Sequence, residues 1–542
     1  MRAAGFVAFA AVASLMPALV VAWNMGASAP FWFLAGDAYL YLGIGEHSQG
    51  WAMSFDGLRP TNGFHPLWQV WVRVATALTG GGLPAMWLVA GGAILCAFGG
   101  VLALGGAIRR FTGSWALAML AVPGVYYLVI GQALGNLPVW GFFDGMEAGL
   151  AFLLSGIFFW LLARPSPPVL LLGLVLGLLV LTRLDEIFVP AGLYVAVLAW
   201  PGRPIPARLR DAALLVLPTA LLVLAYLGWS YATTGMLAPV SGAAKGEGAV
   251  LQNAWVTLAT FFAPLIDLRE AVSGYSADRA GLHDGAFRVL ELVVPALFAA
   301  GLLIVIIRRF RPEPWAAVLA GVCGGVLLKA AYNLLAVNFW HQAPWYFALS
   351  TALMSLGTAL LLAPTLDHAR NRNGMAPVVL AVGLGLVSLL HASLWTQRLM
   401  TGTLHPAHRD FWNARAETEA AVRAAEPDPR VVEFGDGMLN FTFGFPVRHG
   451  FVFAGDAQSL AALRQGRLLR DAYADGFHLI SSYDYLRVPD GAETWDNAQI
   501  RAFLERSFLD ERIKGELDQF DFAMVYVARP AGVPFIRLIA RD

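Results

Sequence analysis

Long apolar runs alternate with short polar loops along most of the chain, and this pattern predicts helices that cross a membrane. Several runs approach the ~20 apolar residues that a helix needs to span a bilayer. We predict about eleven crossings, at residues 4–26, 84–108, 115–132, 147–163, 167–182, 186–200, 211–232, 290–309, 313–336, 346–364 and 375–397. The predicted fold class is a polytopic α-helical membrane protein.

The composition supports this interpretation. Of the 542 residues, 58% are hydrophobic and only 14% are charged. In a soluble protein, roughly a quarter of all residues are charged. The formal net charge is zero, so the charge balance gives no indication of nucleic-acid binding. The two cysteines, Cys96 and Cys323, lie in apolar runs and are interpreted as packing residues rather than a disulfide or a metal pair.

The first apolar run allows two interpretations. A basic start at Arg2 and small residues at 27–29 imitate a signal peptide. However, the unbroken run at 3–23 is longer than the ~7–15-residue core of such a peptide. We therefore interpret it as an uncleaved first span. Under either interpretation, Asp37 lies outside the cytoplasm.

The arginines predict the orientation, because basic loops face the cytoplasm. With eleven crossings, the basic loops share the cytoplasmic side with the N-terminus. They contain Arg2, Arg109, Arg110, Arg164, Arg203, Arg208, Arg210, Arg308, Arg309, Arg311, Arg370 and Arg372. This topology requires residues 66–80 to lie on the outer leaflet as an interfacial helix. The first loop, residues 27–80, is then exoplasmic, and the protein is placed in the inner (plasma) membrane.

The composition changes near residue 400. Helical patterns alternate there with short apolar segments such as "RVVEFGDG" and "FIRLIARD", which are typical of a small α/β domain. We predict a transmembrane domain at residues 1–400 and a soluble α/β domain at residues 401–542. The eleven-span topology makes the second domain exoplasmic.

Asp37 stands directly after the first span, where a carboxylate needs a structural or chemical reason. It can act as a general base if it reaches an acceptor hydroxyl, or it can cap the helix that follows. These two roles are compatible. The nearby stretch "FDGLRPTNGFHPLW" is rich in turn residues. By itself it favours a structural loop that anchors the interfacial helix, with Trp68 and Trp71 at the membrane interface.

Charged residues also interrupt the apolar runs further along the chain. Arg183 and Glu186 in "TRLDE" are spaced to pair on one helical face, or the charges of this segment can face a cavity. Lys329 has no acid within its own predicted span, so its charge either extends towards the interface or meets an anionic headgroup. Lys245, in a loop rich in small residues, is either a second cation for phosphate or a solvated loop residue.

Several motifs together resemble bacterial glycosyltransferases of the GT-C superfamily. They are "GDAYLYLG", "TNGFHPLW", "GMEAGL", "LTRLDEIF" and "WYF", and the resemblance covers roughly residues 1–400 in order. More distant similarity extends to aminoarabinose transferase, actinobacterial arabinofuranosyltransferases and protein O-mannosyltransferases. The first-loop motif is fairly specific, whereas "GMEAGL" and "LTRLDEIF" are weak when taken alone.

The resemblance implies transfer of a sugar, with inversion, from a polyprenyl-phosphate carrier to an envelope glycan, lipid or protein at the outer membrane face. It implies that Asp37 is the general base. The predicted substrate-binding residues are Tyr39, His65, Glu147, Arg183, Asp185, Glu186, Lys245, Lys329, His341 and Tyr346. Of these, Arg183, Lys245, Lys329 and His341 are chosen by charge and placement as candidates to stabilise the leaving phosphate.

One position departs from the family pattern, because Gly36 stands where the family often has a second acid. This position therefore lacks a second acid that could bind a metal ion, whereas Asp37 is still present as the base. The sequence requires no divalent cation, although it allows one, and the cofactor is otherwise unknown. A transporter or flippase of lipid-linked sugars is the main alternative. It would favour broken helices or inverted repeats, of which the sequence shows no clear pair. A non-catalytic envelope-assembly protein is a third class.

Overall fold

The structure is a computed structural model that describes residues 3–124, 143–201, 204–245, 279–337, 344–372, 374–401, 404–507 and 509–541. Most of these residues are α-helical. The described helices are α1 (Ala3–Met25), α2 (Pro30–Phe33), α3 (Gly36–His47), α4 (Pro66–Thr79), α5 (Gly82–Thr112), α6 (Trp115–Ala118), α7 (Ala121–Gly124), α8 (Ala148–Leu162), α9 (Val169–Thr182), α10 (Phe188–Ala199), α11 (Ile205–Thr234), α12 (Val240–Lys245), α13 (Arg279–Val305), α14 (Ala316–Ala336), α15 (Ala348–Arg372), α16 (Ala376–Thr401), α17 (Leu404–Asn413), α18 (Arg415–Ala425), α19 (Met438–Thr442), α20 (Ala457–Arg464), α21 (Leu468–Ala474), α22 (Asn497–Arg506) and α23 (Glu511–Lys514).

The described part of the chain contains seven helices that are long and apolar enough to cross a membrane. They are Ala3–Ser28, Gly82–Thr112, Ile205–Thr234, Leu292–Phe310, Ala316–Ala336, Ala348–Arg372 and Ala376–Asn413. Two shorter apolar helices are Ala148–Leu162 and Val169–Thr182. The prediction of a polytopic α-helical membrane protein is confirmed. The number eleven stays a prediction, and the predicted span 115–132 lies partly outside the described residues.

The chain forms two compact units that are discontinuous in sequence. The first consists of Met1–Asn24, Gly91–Tyr226 and Gly246–Met400, and the second consists of Met25–Ala90, Leu227–Lys245 and Thr401–Asp542. The first loop therefore belongs to the same unit as the C-terminal residues.

Within the first unit, α10 and α14 pack backbone against backbone through glycines. A Cβ added to Gly321 would lie 2.5 Å from Leu193 Cα, and one added to Gly325 would lie 2.5 Å from Val189 Cα. A Cβ on Gly192 would overlap the backbone nitrogen of Gly325. Small residues allow this close approach between membrane helices. The contact brings the turn before α10 next to the middle of α14.

The second unit contains a five-stranded sheet with the order β2-β1-β3-β5-β4. Its strands are β1 (Val431–Glu433), β2 (Val447–His449), β3 (Leu479–Ser481), β4 (Phe520–Ala528) and β5 (Val533–Ala540). β1 runs parallel to both β2 and β3, whereas β5 runs antiparallel to β3 and β4. The predicted C-terminal α/β fold is confirmed. The loops after β1 and β3 leave the sheet at the same edge, because parallel strands share their direction.

The "TNG" motif of the first loop joins three segments of the second unit. The Thr61 hydroxyl donates to the carbonyl of Gly455 over 2.5 Å. The buried Asn62 amide donates to Ser230 Oγ over 2.7 Å and accepts from the Val240 N–H over 2.9 Å. This motif therefore has a structural role, since it connects these three segments. Its turn residues had favoured a structural loop.

Helix α4 packs on α3 through polar contacts. Gln69 Nε2 donates to the Tyr41 carbonyl over 3.1 Å, and Arg73 donates to the Gly45 carbonyl over 2.8 Å. The Trp68 side chain is only 1% exposed and packs within the protein. Its predicted placement at the membrane interface stays a prediction. The α4 contacts hold α3, and with it Asp37, in a defined position.

Candidate active site

Asp37 lies in the first turn of α3, which begins at Gly36. Ala35, with extended backbone angles, is the N-cap residue. The prediction that Asp37 caps this helix is therefore wrong, since the helix starts before it. A carboxylate in the first turn is still favoured by the exposed N–H groups and the helix dipole. Its side chain is half-buried.

Aromatic packing fixes the start of α3. The ring of Tyr39 is fully buried and lies 5.3 Å from the ring of His408 in an edge contact. It also lies 5.7 Å from the ring of Phe441. Burial raises the pKa of Tyr39 well above its usual value, and Tyr483 and Asp484 raise it further. Tyr39 thus remains protonated, and its role in substrate binding stays a prediction.

Two carboxylates of the C-terminal segment meet this end of α3. Asp436 follows β1, and Asp484 follows β3. The N–H of Asp436 donates to Asp484 Oδ2 over 3.0 Å. A Cβ added to Gly36 would overlap Asp436 Oδ2 and would lie 3.0 Å from Asp436 Cβ and Cγ. The Asp436 side chain therefore lies directly against the residue that precedes Asp37.

Burial and the proximity of like charges shift the pKa of Asp484 in this cluster. Burial, together with the negative charge of Asp37, raises the pKa of Asp484 to about 6. The Asp436 N–H and the Arg487 guanidinium act in the opposite direction. Asp37 is consequently close enough to Asp484 for its charge to affect the protonation of Asp484.

Glu433, at the end of β1, supports the loop that carries Asp436. Its carboxylate accepts the N–H groups of Leu439 and Asn440 over 2.9 Å and 3.2 Å. These are donors at the start of α19. Burial raises the pKa of Glu433 to about 8, although these hydrogen bonds lower it. Glu433 is fully buried, so it acts through the loop and not through contact with a substrate.

Sequence reasoning missed Asp436 and Asp484, because they lie far from Asp37 along the chain. A signal was present in "RVVEFGDG" and "FHLISSYDYL", where each acid follows an apolar strand. Ligands of open α/β sheets bind at the carboxyl ends of the strands, beside a strand that has crossovers on both sides. β1 occupies that position in this sheet.

The first unit contains a separate group of buried charges around Arg183. This residue ends α9 with extended backbone angles of φ −144° and ψ 110°. The predicted pairing of Arg183 and Glu186 on one helical face is therefore wrong. Arg183 instead donates to Glu147 Oε1 over 2.5 Å and to Asp185 Oδ1 over 3.1 Å. Its guanidinium lies 4.1 Å from the centre of the Tyr346 ring.

Lys329 belongs to the same group. Its Nζ lies 2.6 Å from Glu186 Oε1 and 3.0 Å from Asp185 Oδ2, and it donates to the Tyr346 carbonyl over 2.7 Å. The expectation that its charge must find an anion outside the protein is therefore wrong. Arg183 and Lys329 face the carboxylates of three acids, which are Glu147, Asp185 and Glu186. Substrate binding by these five residues stays a prediction.

Two of the other predicted residues, His65 and Lys245, belong to the second unit. His65 is the half-buried N-cap residue of α4, and Lys245 is the last residue of α12. His341 lies outside the described residues. Among the residues that the structure describes, no group of three His, Cys, Asp or Glu side chains could hold a metal ion. The cofactor therefore stays unknown.

No protein-family model matches the sequence, and no curated protein matches it. Solved structures do match. The apo oligosaccharyltransferase of Archaeoglobus fulgidus has a TM-score of 0.51 and 12% identity, over 100% of this chain and 74% of that chain. The same enzyme tethered to an acceptor peptide has a TM-score of 0.51 and 13% identity over the same shares. ArnT from Cupriavidus metallidurans bound to undecaprenyl phosphate has a TM-score of 0.47 and 15% identity, over 99% and 98%.

The similarity to the oligosaccharyltransferase extends over the whole chain. At this identity it establishes the fold. The protein therefore has a fold similar to that of this oligosaccharyltransferase.

Proposed function

We propose that this protein is a glycosyltransferase that moves a sugar from a polyprenyl-phosphate carrier to a cell-envelope acceptor. The proposal is carried by the position of Asp37 in a chain whose motifs resemble the GT-C superfamily and whose fold is similar to that of the oligosaccharyltransferase. Its half-buried carboxylate stands in the first turn of the helix that follows the first apolar span. Asp436 and Asp484 lie at the same end of this helix.

In the proposed reaction, Asp37 accepts the proton of an acceptor hydroxyl while the oxygen attacks the anomeric carbon of the sugar. The bond between that carbon and the carrier phosphate breaks on the opposite side, so the configuration inverts. A positioned base of this kind contributes roughly 10²–10⁴-fold to the rate.

The leaving phosphate needs cationic stabilisation. Arg183 and Lys329 are both held in ion pairs, so a phosphate at either one would compete with protein carboxylates. Lys245 and His341 are the other predicted cations. We retain these four residues as candidates. Mutating each one and measuring donor binding would show which of them binds the phosphate.

We further propose that the reaction takes place at the outer face of the inner membrane, with the N-terminus in the cytoplasm and the C-terminal domain outside it. The support is the distribution of arginines over the predicted loops. The donor is then a polyprenyl-phosphate sugar of the outer leaflet. The acceptor is an envelope glycan, lipid or protein.

The decisive experiment uses the purified full-length protein with a panel of polyprenyl-phosphate sugars and envelope acceptors. We expect transfer by the wild type, and a loss of roughly 10²–10⁴-fold in Asp37→Asn, because the amide cannot accept the proton. The matched control is Asp490→Asn, since the Asp490 side chain is 99% exposed. It should turn over like the wild type.

Two outcomes would contradict the proposal in different ways. Normal turnover by a correctly folded Asp37→Asn variant would remove Asp37 as the base. Movement of labelled lipid-linked sugars across proteoliposomes, with no transfer to any acceptor, would favour the transporter alternative.

A further inference from the structure

An apolar groove of about 720 Å³ lies between α10, α13 and α14 in the first unit. Its walls include Val195, Leu303, Ile307 and Leu327. This volume is nearly five times the roughly 150 Å³ of an engineered cavity that binds benzene. The groove is therefore large enough for a stretch of hydrocarbon chain.

A glycine on α14 keeps the groove open. Gly324 lines it, and a Cβ added there would meet only the Gly192 Cα, at 3.9 Å. The neighbouring Gly321 and Gly325 differ, because a Cβ on either would come within 2.5 Å of the α10 backbone. A side chain at 324 would therefore enter the groove without forcing the two helices apart.

One end of the groove carries a cation and an indole. Arg311 is the only charged residue among those described that line the groove, and Trp200 lies in the same lining. Arg311 is exposed and makes no hydrogen bond or ion pair within the described residues. It directly follows the π-helical segment Ile306–Phe310. Tryptophan and arginine are typical of the level of the lipid headgroups.

We infer that this groove binds an anionic phospholipid, with an acyl chain along α14 and the phosphate at Arg311. Basic sites between membrane helices bind anionic headgroups, and the guanidinium fork matches the geometry of a phosphate. The apolar walls exclude a soluble phosphate compound as the natural occupant, because they would stay exposed around it. This inference does not depend on the proposed transferase activity.

The site differs from the proposed donor site in its predicted side of the membrane. Arg311 belongs to the basic loops that the sequence places in the cytoplasm, whereas the proposed donor reacts at the outer face. The ligand is therefore an ordinary phospholipid of the inner leaflet.

The first test measures lipid binding to the delipidated full-length protein in detergent by native mass spectrometry. The probes are phosphatidylglycerol and phosphatidylcholine with identical acyl chains. We expect phosphatidylglycerol to bind at least about tenfold more tightly, which is the scale of a charge-assisted hydrogen bond. Arg311→Gln should abolish this preference. The matched control is Arg309→Gln, two positions away and outside the groove lining, which should keep it.

The second test fills the groove with Gly324→Leu. We expect binding of phosphatidylglycerol to fall at least about tenfold, because the leucine takes the place of the acyl chain. The apparent melting temperature in lipid-free detergent should not fall, since leucine forms helices better than glycine.

Three results would overturn the inference. They are an unchanged lipid preference in Arg311→Gln, full binding in a folded Gly324→Leu, and displacement of phosphatidylglycerol by an equal concentration of decaprenyl phosphate. The last result would identify the groove as a carrier-lipid site.

Discussion

The carboxylate of Asp436 occupies the space that a side chain on Gly36 would take. A Cβ at position 36 would overlap Asp436 Oδ2. Gly36 has an ordinary helical conformation without positive φ, so the requirement for glycine is steric and not conformational. A carboxylate from the C-terminal segment thus lies against the residue that precedes Asp37.

We predict that exchanging these two residues preserves the function of the pair. Gly36→Asp alone should lower turnover and stability because it collides with Asp436, and Asp436→Gly alone should lower turnover because it removes the carboxylate. The double variant Gly36→Asp/Asp436→Gly should recover at least about tenfold over either single variant, the scale of one charge-assisted hydrogen bond. Turnover with the donor and acceptor panel is the measurement.

A double variant no better than its single parents would show that the contact serves packing only. Wild-type turnover by Asp436→Asn would show that the second carboxylate is not needed, while the role of Asp37 would still be decided by Asp37→Asn.

Lys329→Met is predicted to destabilise the protein. The substitution leaves Glu186 buried without its cation, and breaking a buried pair on one side costs about 3–5 kcal/mol. The apparent melting temperature should fall, and Lys329→Met/Glu186→Gln should restore part of the loss. If the melting temperature is unchanged while donor binding weakens by about 1.5–3 kcal/mol, Lys329 serves the carrier phosphate and not the ion pair.

Stability should depend on pH through Glu433. Burial raises its pKa from 4.5 to about 8, so the folded protein keeps a proton that the unfolded chain releases. This contribution is fully present below about pH 4.5 and is lost as the pH rises to about 8. Between pH 6 and 7.5 the loss is on the order of 2 kcal/mol.

The measurement is the apparent melting temperature at these two pH values. It should fall in the wild type and fall less in Glu433→Gln, which carries no titrating group at this position. An equal fall in both proteins would rule out Glu433 as the source.

Asn62→Ala should destabilise the second unit. It deletes the bonds to Ser230 and Val240 in a fully buried setting, and leaving buried groups without partners costs about 1–3 kcal/mol. Asn413→Ala, at an exposed position, should stay within about 0.5 kcal/mol of the wild type. The measurement is the melting temperature of each variant. Equal melting temperatures for Asn62→Ala and Asn413→Ala would contradict the structural role of the "TNG" motif.

The orientation can be tested with cysteines at exposed positions. Thr494→Cys, in the C-terminal domain, should react with a membrane-impermeant thiol reagent in intact spheroplasts. Gly374→Cys, in a predicted cytoplasmic loop, should react only after lysis. The background is low because Cys323 is buried and Cys96 is half-buried in apolar helices. The reverse labelling pattern would contradict the eleven-span topology.

The sequence by itself determined the membrane class, the C-terminal α/β domain and the helix that carries Asp37. These properties are local, since the length of an apolar run and the alternation of strand and helix patterns can be read from neighbouring residues. It also placed an acid at the start of α3, although it assigned the N-cap to Asp37, two positions after the observed N-cap Ala35. It identified "TNG" as a structural loop for the same reason, because turn chemistry belongs to a few adjacent residues.

Only the tertiary structure decided which charges meet. Lys329 finds Glu186 because glycines let α10 and α14 approach closely, and no local pattern shows which two helices will do so. Asp436 and Asp484 meet because the parallel strands β1 and β3 deliver their following loops to one edge of the sheet. The packing of α3 against the segment after β1 then brings Gly36 to Asp436. The order of the strands depends on pairing between distant segments, which no local pattern shows. The two carboxylates near Asp37 therefore lie in a part of the chain where no sequence motif was recognised.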